Sequence, residues 1–232
     1  MDASLPLSIL YEDNHIIVCI KPAGVLSQPS HPEDLDMMTM LKDYLKEKYQ
    51  KPGNVFLGLV HRLDRNVGGV MVYAKTSKAA SRLSESMRNH EFEKHYFAVI
   101  HAQLPIGKSD SFVDYLSKDE DEVKAIHATA STGKEARLRY VVKSVADHNT
   151  KPLTLVDIEL ETGRFHQIRY QFASRGMPIY GDEKYGASRI RDSHFIGLFA
   201  YQLSFPHPTT KENMVFTATP SEGIFTLFFK YV

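Results

Sequence analysis

The sequence predicts an α+β fold with a mixed, largely antiparallel central sheet flanked by helices. Short apolar runs bounded by turn residues recur along the chain and read as strands. A few segments instead carry apolar residues at helical spacing. The two kinds do not alternate in the regular β-α units that build a parallel sheet. With 232 residues, 43% hydrophobic and 24% charged, the chain can bury a sizeable core. No repeat, low-complexity tract or linker divides it, so residues 1–232 are read as one domain with two subdomains around a central cleft.

The first elements are a short strand from Ile9, an Asp13-Asn14 turn and a buried strand ending at Lys21. Pro22-Ala23-Gly24 and Pro29-Ser30-His31-Pro32 mark a long loop. Met37, Leu41, Tyr44, Leu45 and Lys48 follow helical spacing, and Pro52-Gly53 ends the helix. Ser77 is positioned to cap a second helix reaching about Asn89, with Ala80, Leu83 and Met87 on one face. Lys94 to Ile100 reads as a strand. Residues 102–133 are acidic and turn-rich, which suggests a hairpin or arm reaching beyond the core. Alternation resumes over 136–142 and 153–160. Thr162 is positioned to cap a third helix over about 164–174, and two last strands are expected near 196–204 and 214–219.

Composition excludes several classes. The lone Cys19 rules out a disulfide framework and a cysteine-based zinc site, and its apolar neighbours mark it as core. The N-terminus lacks the basic start and apolar run of a signal peptide. No window approaches the roughly 18 apolar residues of a membrane span. A cytoplasmic protein without a membrane partner is expected. Zero formal net charge argues against nonspecific coating of nucleic acid. Cations nevertheless gather at Arg164, Arg169, Arg175, Lys184, Arg189 and Arg191, around only Asp182 and Glu183. His61 to Asn66 fails as a kinase catalytic loop because the aspartate is displaced by one residue. Gly107-Lys108-Ser109 fails as a phosphate loop because Ala102 stands where glycine is required. The histidines show no metal-ligand spacing.

The chemistry-bearing stretch is Gly58 to Val70. It sets Asp64 between Arg62 and Arg65, with Gly68-Gly69 leading into the next strand. A carboxylate held ionised beside guanidinium groups is a plausible nucleophile, and the arginines suit an anionic substrate. Three segments resemble the RluA family of RNA pseudouridine synthases. They are His61-Arg62-Leu63-Asp64, Lys94-His95-Tyr96-Phe97-Ala98 and Gly163-Arg164-Phe165-His166-Gln167-Ile168-Arg169, the last followed by Pro178 to Gly186. The openings Leu10 to His15 and Lys21-Pro22-Ala23-Gly24 are also similar, so the resemblance runs from about residue 9 to 219.

That resemblance implies a cofactor-free, metal-free isomerase of structured ribosomal or transfer RNA on the pseudouridine synthase catalytic fold. It implies that Asp64 attacks the target nucleotide at the ribose or the base. The glycosidic bond then breaks, and uracil turns and rejoins through carbon 5. It makes Arg169 the cation beside Asp64 and Tyr96 the residue stacked on the flipped base. Arg62 would enter the stack that the base leaves. Arg65, Arg164 and His166 would serve RNA binding, with Arg164 at a helix start suited to a phosphate. His61, Gly68 and Gly163 would order loops. Asn66-Val67 replaces the family's usual Thr-Ser, which removes two hydroxyls from the loop. The small RNA-binding domain that often precedes the catalytic domain is not expected here, and a monomer is the default. The competing reading, an RNA-binding or RNA-folding protein with dispensable chemistry, does not require Asp64, Tyr96 and Arg169 together.

Overall fold

A computed structural model describes residues 6–188 and 195–229; Arg189 and Arg191 lie outside them. The chain divides into two compact units, residues 1–92 with 202–218 and residues 93–201 with 219–232.

The first unit contains β1 (Ser8–Glu12), β2 (Ile16–Lys21), α1 (Met37–Lys48), β3 (Gly58–Leu59), β4 (Gly68–Ala74) and α2 (Ser77–Arg88). β2 pairs antiparallel with β1 and with β4, placing Lys21 opposite Gly69. Ile16, Val18, Val70 and Val72 face one side with Leu83, Leu203 and Phe205, while Ile17, Cys19, Met71 and Tyr73 alternate with them and are equally buried. Burial on both faces is why these strands read as unbroken apolar runs. Asp36 caps α1 by accepting from the Thr39 N–H at 3.0 Å. The cap of α2 is Thr76, one residue before the expected Ser77, and it accepts from the Ala79 N–H. Its buried face is Ala79, Leu83 and Ser86, with Ala80 and Met87 at the margin. Glu12 ties the turn to α1, accepting from Lys48 and Tyr49 at 2.7 Å and from Lys75 at 2.7 Å.

The second unit contains β5 (Glu93–Ile100), β6 (Ser109–Asp119), β7 (Lys124–His127), β8 (Lys134–His148), β9 (Lys151–Leu160) and α3 (Gln167–Ala173). Its strand order is β5-β9-β8-β6-β7, with antiparallel pairing throughout. The expected arm over 102–133 is only partly an arm. Ser109 to Leu116 pairs residue by residue with β8 inside the sheet, and only the tip forms a hairpin with β7. The burial pattern of β6 explains this: Phe112 is buried between exposed neighbours and Leu116 between half-buried ones. Phe112, Tyr140 and Phe172 meet at centroid distances of 5.1–5.3 Å and dock α3 on one face of the sheet. Val99, Leu153, Leu155 and Phe225 fill the other.

The last strands are β10 (Leu198–Pro206), whose residues divide between the units at 201/202, and β11 (Asn213–Thr217), paired with its second half. Among the described residues no helix is long and apolar enough to cross a membrane.

Candidate active site

The expected site residues fall into two groups, one in each unit. In the first unit the loop between β3 and β4 carries His61, Arg62, Asp64 and Arg65, and it is fastened at every second residue. His61 Nε2 accepts from the Val72 N–H at 3.2 Å. Leu63 donates its N–H to Ser27 Oγ at 3.1 Å and accepts from the same hydroxyl at 2.9 Å. The Arg65 carbonyl accepts from the Gly24 N–H at 2.7 Å, and Arg65 Nε returns a bond to the Gly24 carbonyl at 3.1 Å. Val67 closes the turn with its N–H on the Asp64 carbonyl at 3.1 Å, and its side chain is buried. Gly24 makes this docking possible with φ +88°, a conformation that favours glycine. Arg62 and Arg65 remain exposed and Asp64 half-buried. The loop thus keeps its order without the two hydroxyls that Asn66 and Val67 replace. Gly68 and Gly69 are buried strand residues, not a flexible lead-in.

Sequence reasoning missed Lys21. This ammonium is fully buried, and donates to the carbonyls of Pro22 (2.9 Å), Val25 (2.6 Å) and Arg65 (3.1 Å). Burial pushes its pKa down to about 7, opposed by the Asp64 carboxylate. A cation therefore acts on Asp64 from within its own unit. A lysine ending an apolar strand usually snorkels to water, and only the Lys-Pro-Ala-Gly turn hinted otherwise. Replacing Lys21 by methionine takes the donor from the Pro22 and Val25 carbonyls and leaves the Arg65 carbonyl with the Gly24 N–H alone, each unpaired carbonyl costing ~1–3 kcal/mol. We expect stability to fall by about 3 kcal/mol and kcat to fall with it. An unchanged melting temperature would show that these carbonyls do not depend on Lys21.

In the second unit Tyr96 is buried on the face of β5 that also carries Ala98. Arg169 is buried and makes a bidentate pair with Asp182, Nε to Oδ2 at 2.7 Å and Nη2 to Oδ1 at 2.8 Å. Its Nη1 lies 2.9 Å from His166 Nε2. Since arginine only donates, that nitrogen accepts, and the ring proton sits on Nδ1, 3.0 Å from Tyr185 Oη. These two bonds hold His166 at φ +49°, a conformation that costs free energy for a residue with a side chain. Asp182 was noticed in the sequence only as a charge amid cations, and its role in fixing the Arg169 fork went unread.

The helix expected to start near Arg164 starts instead at Gln167. Thr162 does not cap it: its hydroxyl donates to Gln167 Oε1 at 2.8 Å and accepts from the Arg137 N–H of β8 at 2.8 Å. The Arg164 N–H is taken by Gln167 Oε1 at 3.0 Å, so no free helical N–H group stands at Arg164. Gly163 is exposed, and Arg164 half-buried. Two cations of the basic stretch are paired, Arg169 with Asp182 and Arg175 with Asp114. Among the described residues no cluster of His, Cys, Asp or Glu is arranged to hold a metal ion.

The chain matches the family model of RNA pseudouridylate synthase over residues 15–174. It is 35% identical over 218 residues to an uncharacterized RNA pseudouridine synthase, YjbO, of Bacillus subtilis, covering 92% of this chain and 72% of the relative. It is 32% identical over 214 residues to ribosomal large subunit pseudouridine synthase D of Nitrosomonas europaea, covering 88% of this chain and 59% of the relative. The fold is similar to that of human RNA pseudouridylate synthase domain containing 1, with a TM-score of 0.74 and 21% identity over 98% of this chain and 89% of the other. Fold, motif order and these matches agree, and the chain belongs to the RNA pseudouridylate synthase family.

Proposed function

We propose that this enzyme converts uridine to pseudouridine in large-subunit ribosomal RNA in the cytoplasm, with Asp64 as nucleophile. The observation that carries the role of Asp64 is the loop that presents it: the backbone on both sides is fastened, and the buried Lys21 ammonium acts on its carboxylate. In this reading Arg169, oriented by Asp182, is a second cation that the reaction employs, and Tyr96 is the platform for the extruded base. Extrusion costs a few kcal/mol, and stacking of Arg62 in the vacated place returns roughly 1–3 kcal/mol.

Asp64 takes the nucleotide into a covalent intermediate, and the bond between uracil N1 and ribose C1′ breaks. The base turns, C5 bonds to C1′, the bond to Asp64 breaks to free the carboxylate, the C5 proton leaves and N1 gains one. The overall change is an isomerisation that needs no redox partner. Ribosomal RNA is favoured over transfer RNA because several relatives bear the name of ribosomal large subunit pseudouridine synthase.

Mapping pseudouridines in ribosomal and transfer RNA from a deletion strain tests the assignment. The expected result is loss of one or a few large-subunit sites, restored by the wild-type gene. Loss confined to transfer RNA would overturn the ribosomal assignment, and an unchanged map of both RNAs would overturn the isomerase reading.

A further inference from the structure

Lys94 opens the segment that carries Tyr96, yet the chemistry above gives it no role. It stands two residues before Tyr96 on β5, so both side chains leave the same face of the strand, about 7 Å apart along it. Its Nζ lies against Gly163, 3.5 Å from where a Cβ would stand if that residue had one. The next residue is Arg164, whose Nε donates to the Glu135 carbonyl at 2.7 Å, leaving the terminal nitrogens uncommitted to any carboxylate among the described residues. The other described arginines of this unit are each paired, Arg137 and Arg139 with Glu161, Arg169 with Asp182 and Arg175 with Asp114. Lys94 likewise has no carboxylate within ion-pair distance among the described residues.

Two cations held together without a counter-ion repel, and burial aggravates this. Both effects, burial first and the Arg164 charge second, draw the Lys94 pKa below its ordinary value. Such an arrangement is relieved by an anion. The exposed, side-chain-free backbone of Gly163 leaves room for one beside Nζ.

We propose that Lys94 and Arg164, on either side of the bare Gly163 backbone, form a phosphate subsite that grips the RNA chain beside the nucleotide whose base stacks on Tyr96. The spacing along β5 is comparable to the reach from a base to a phosphate of its own nucleotide or the next. The placement of the base rests on the reading of Tyr96 given above, whereas the anion subsite rests on unit geometry alone.

The test is the salt dependence of RNA binding. Binding of an unmodified large-subunit ribosomal RNA transcript is measured between about 50 and 200 mM salt for wild type, Lys94→Met and Lys94→Arg. One lost phosphate contact reduces the slope of log K against log salt by roughly 1, and weakens binding several-fold at the lower salt. Lys94→Met should show both changes and raise KM more than it lowers kcat. Lys94→Arg should restore the wild-type slope, which a packing role for the lysine stem would not require. A wild-type slope in Lys94→Met overturns the subsite. If that variant does not fold, Arg164→Met carries the same expectation, and its failure to lower the slope overturns the proposal equally. Because the slope is read from binding, absence of pseudouridine formation by the wild type would sink the isomerase reading while leaving this measurement intact.

Discussion

Asp64→Asn is expected to abolish pseudouridine formation while leaving the fold and RNA binding in place. The isosteric amide cannot form the covalent bond to the nucleotide. Loss of the nucleophile in a covalent mechanism costs on the order of 10⁴- to 10⁶-fold in kcat. The backbone around residue 64 is fixed by bonds from Ser27, Lys21 and Val67, and the amide has the shape of the carboxylate it replaces. The melting temperature should therefore move by only a few degrees. Release of tritium from uracil C5 in transcribed RNA measures the rate. Equal release by wild type and Asp64→Asn would remove Asp64 from the mechanism and favour a different nucleophile.

Asp182→Ala is expected to harm both stability and rate. It leaves the Arg169 guanidinium buried without its bidentate partner, a defect worth about 3–5 kcal/mol. For a chain of this size that lowers the melting temperature by roughly 10 °C. The freed guanidinium also loses its fixed direction, and kcat should drop by about 10²- to 10³-fold, as when an oriented charge-stabilising donor is removed. The double variant Asp182→Leu with Arg169→Met separates the two effects. Replacing a buried ion pair by apolar side chains of similar size is often neutral for stability, so melting should recover while turnover does not. If Asp182→Ala alone melts and turns over like wild type, the fork is not what fixes Arg169.

The sequence disclosed most readily what depends on neighbours in the chain. The periodicity of Met37, Leu41 and Leu45 marks α1, and the apolar runs around Cys19 and Met71 mark the two fully buried strands. Motif order disclosed Asp64, Tyr96 and Arg169 as residues to watch. What stayed hidden depends on partners far away in sequence. Thr162 looked like a helix cap because cap rules consider only the next few residues, yet its hydroxyl is tied to Arg137, 25 positions back on β8. His166 in a left-handed conformation delays α3, held there by partners that include Tyr185, 19 residues ahead. Lys21 looked like a surface end to a strand because its carbonyl partners include one 44 residues ahead. The Asp182 fork could have been suspected from a single acid amid cations, but only geometry shows which arginine it serves.

Residues 93–201 of the second unit are inserted between the two pieces of the first, whose sheet takes in the second half of β10 and β11 only after residue 201. During synthesis the ribosome must therefore make 93–201 before the first unit can finish its sheet, an interval of roughly 10 s at ordinary elongation rates. Throughout that wait β4, apolar on both faces, lacks its last neighbour and offers an open edge of the kind that recruits foreign strands. The nascent polypeptide has a built-in window in which a chaperone, or haste of the inserted unit to collapse, decides between maturation and aggregation.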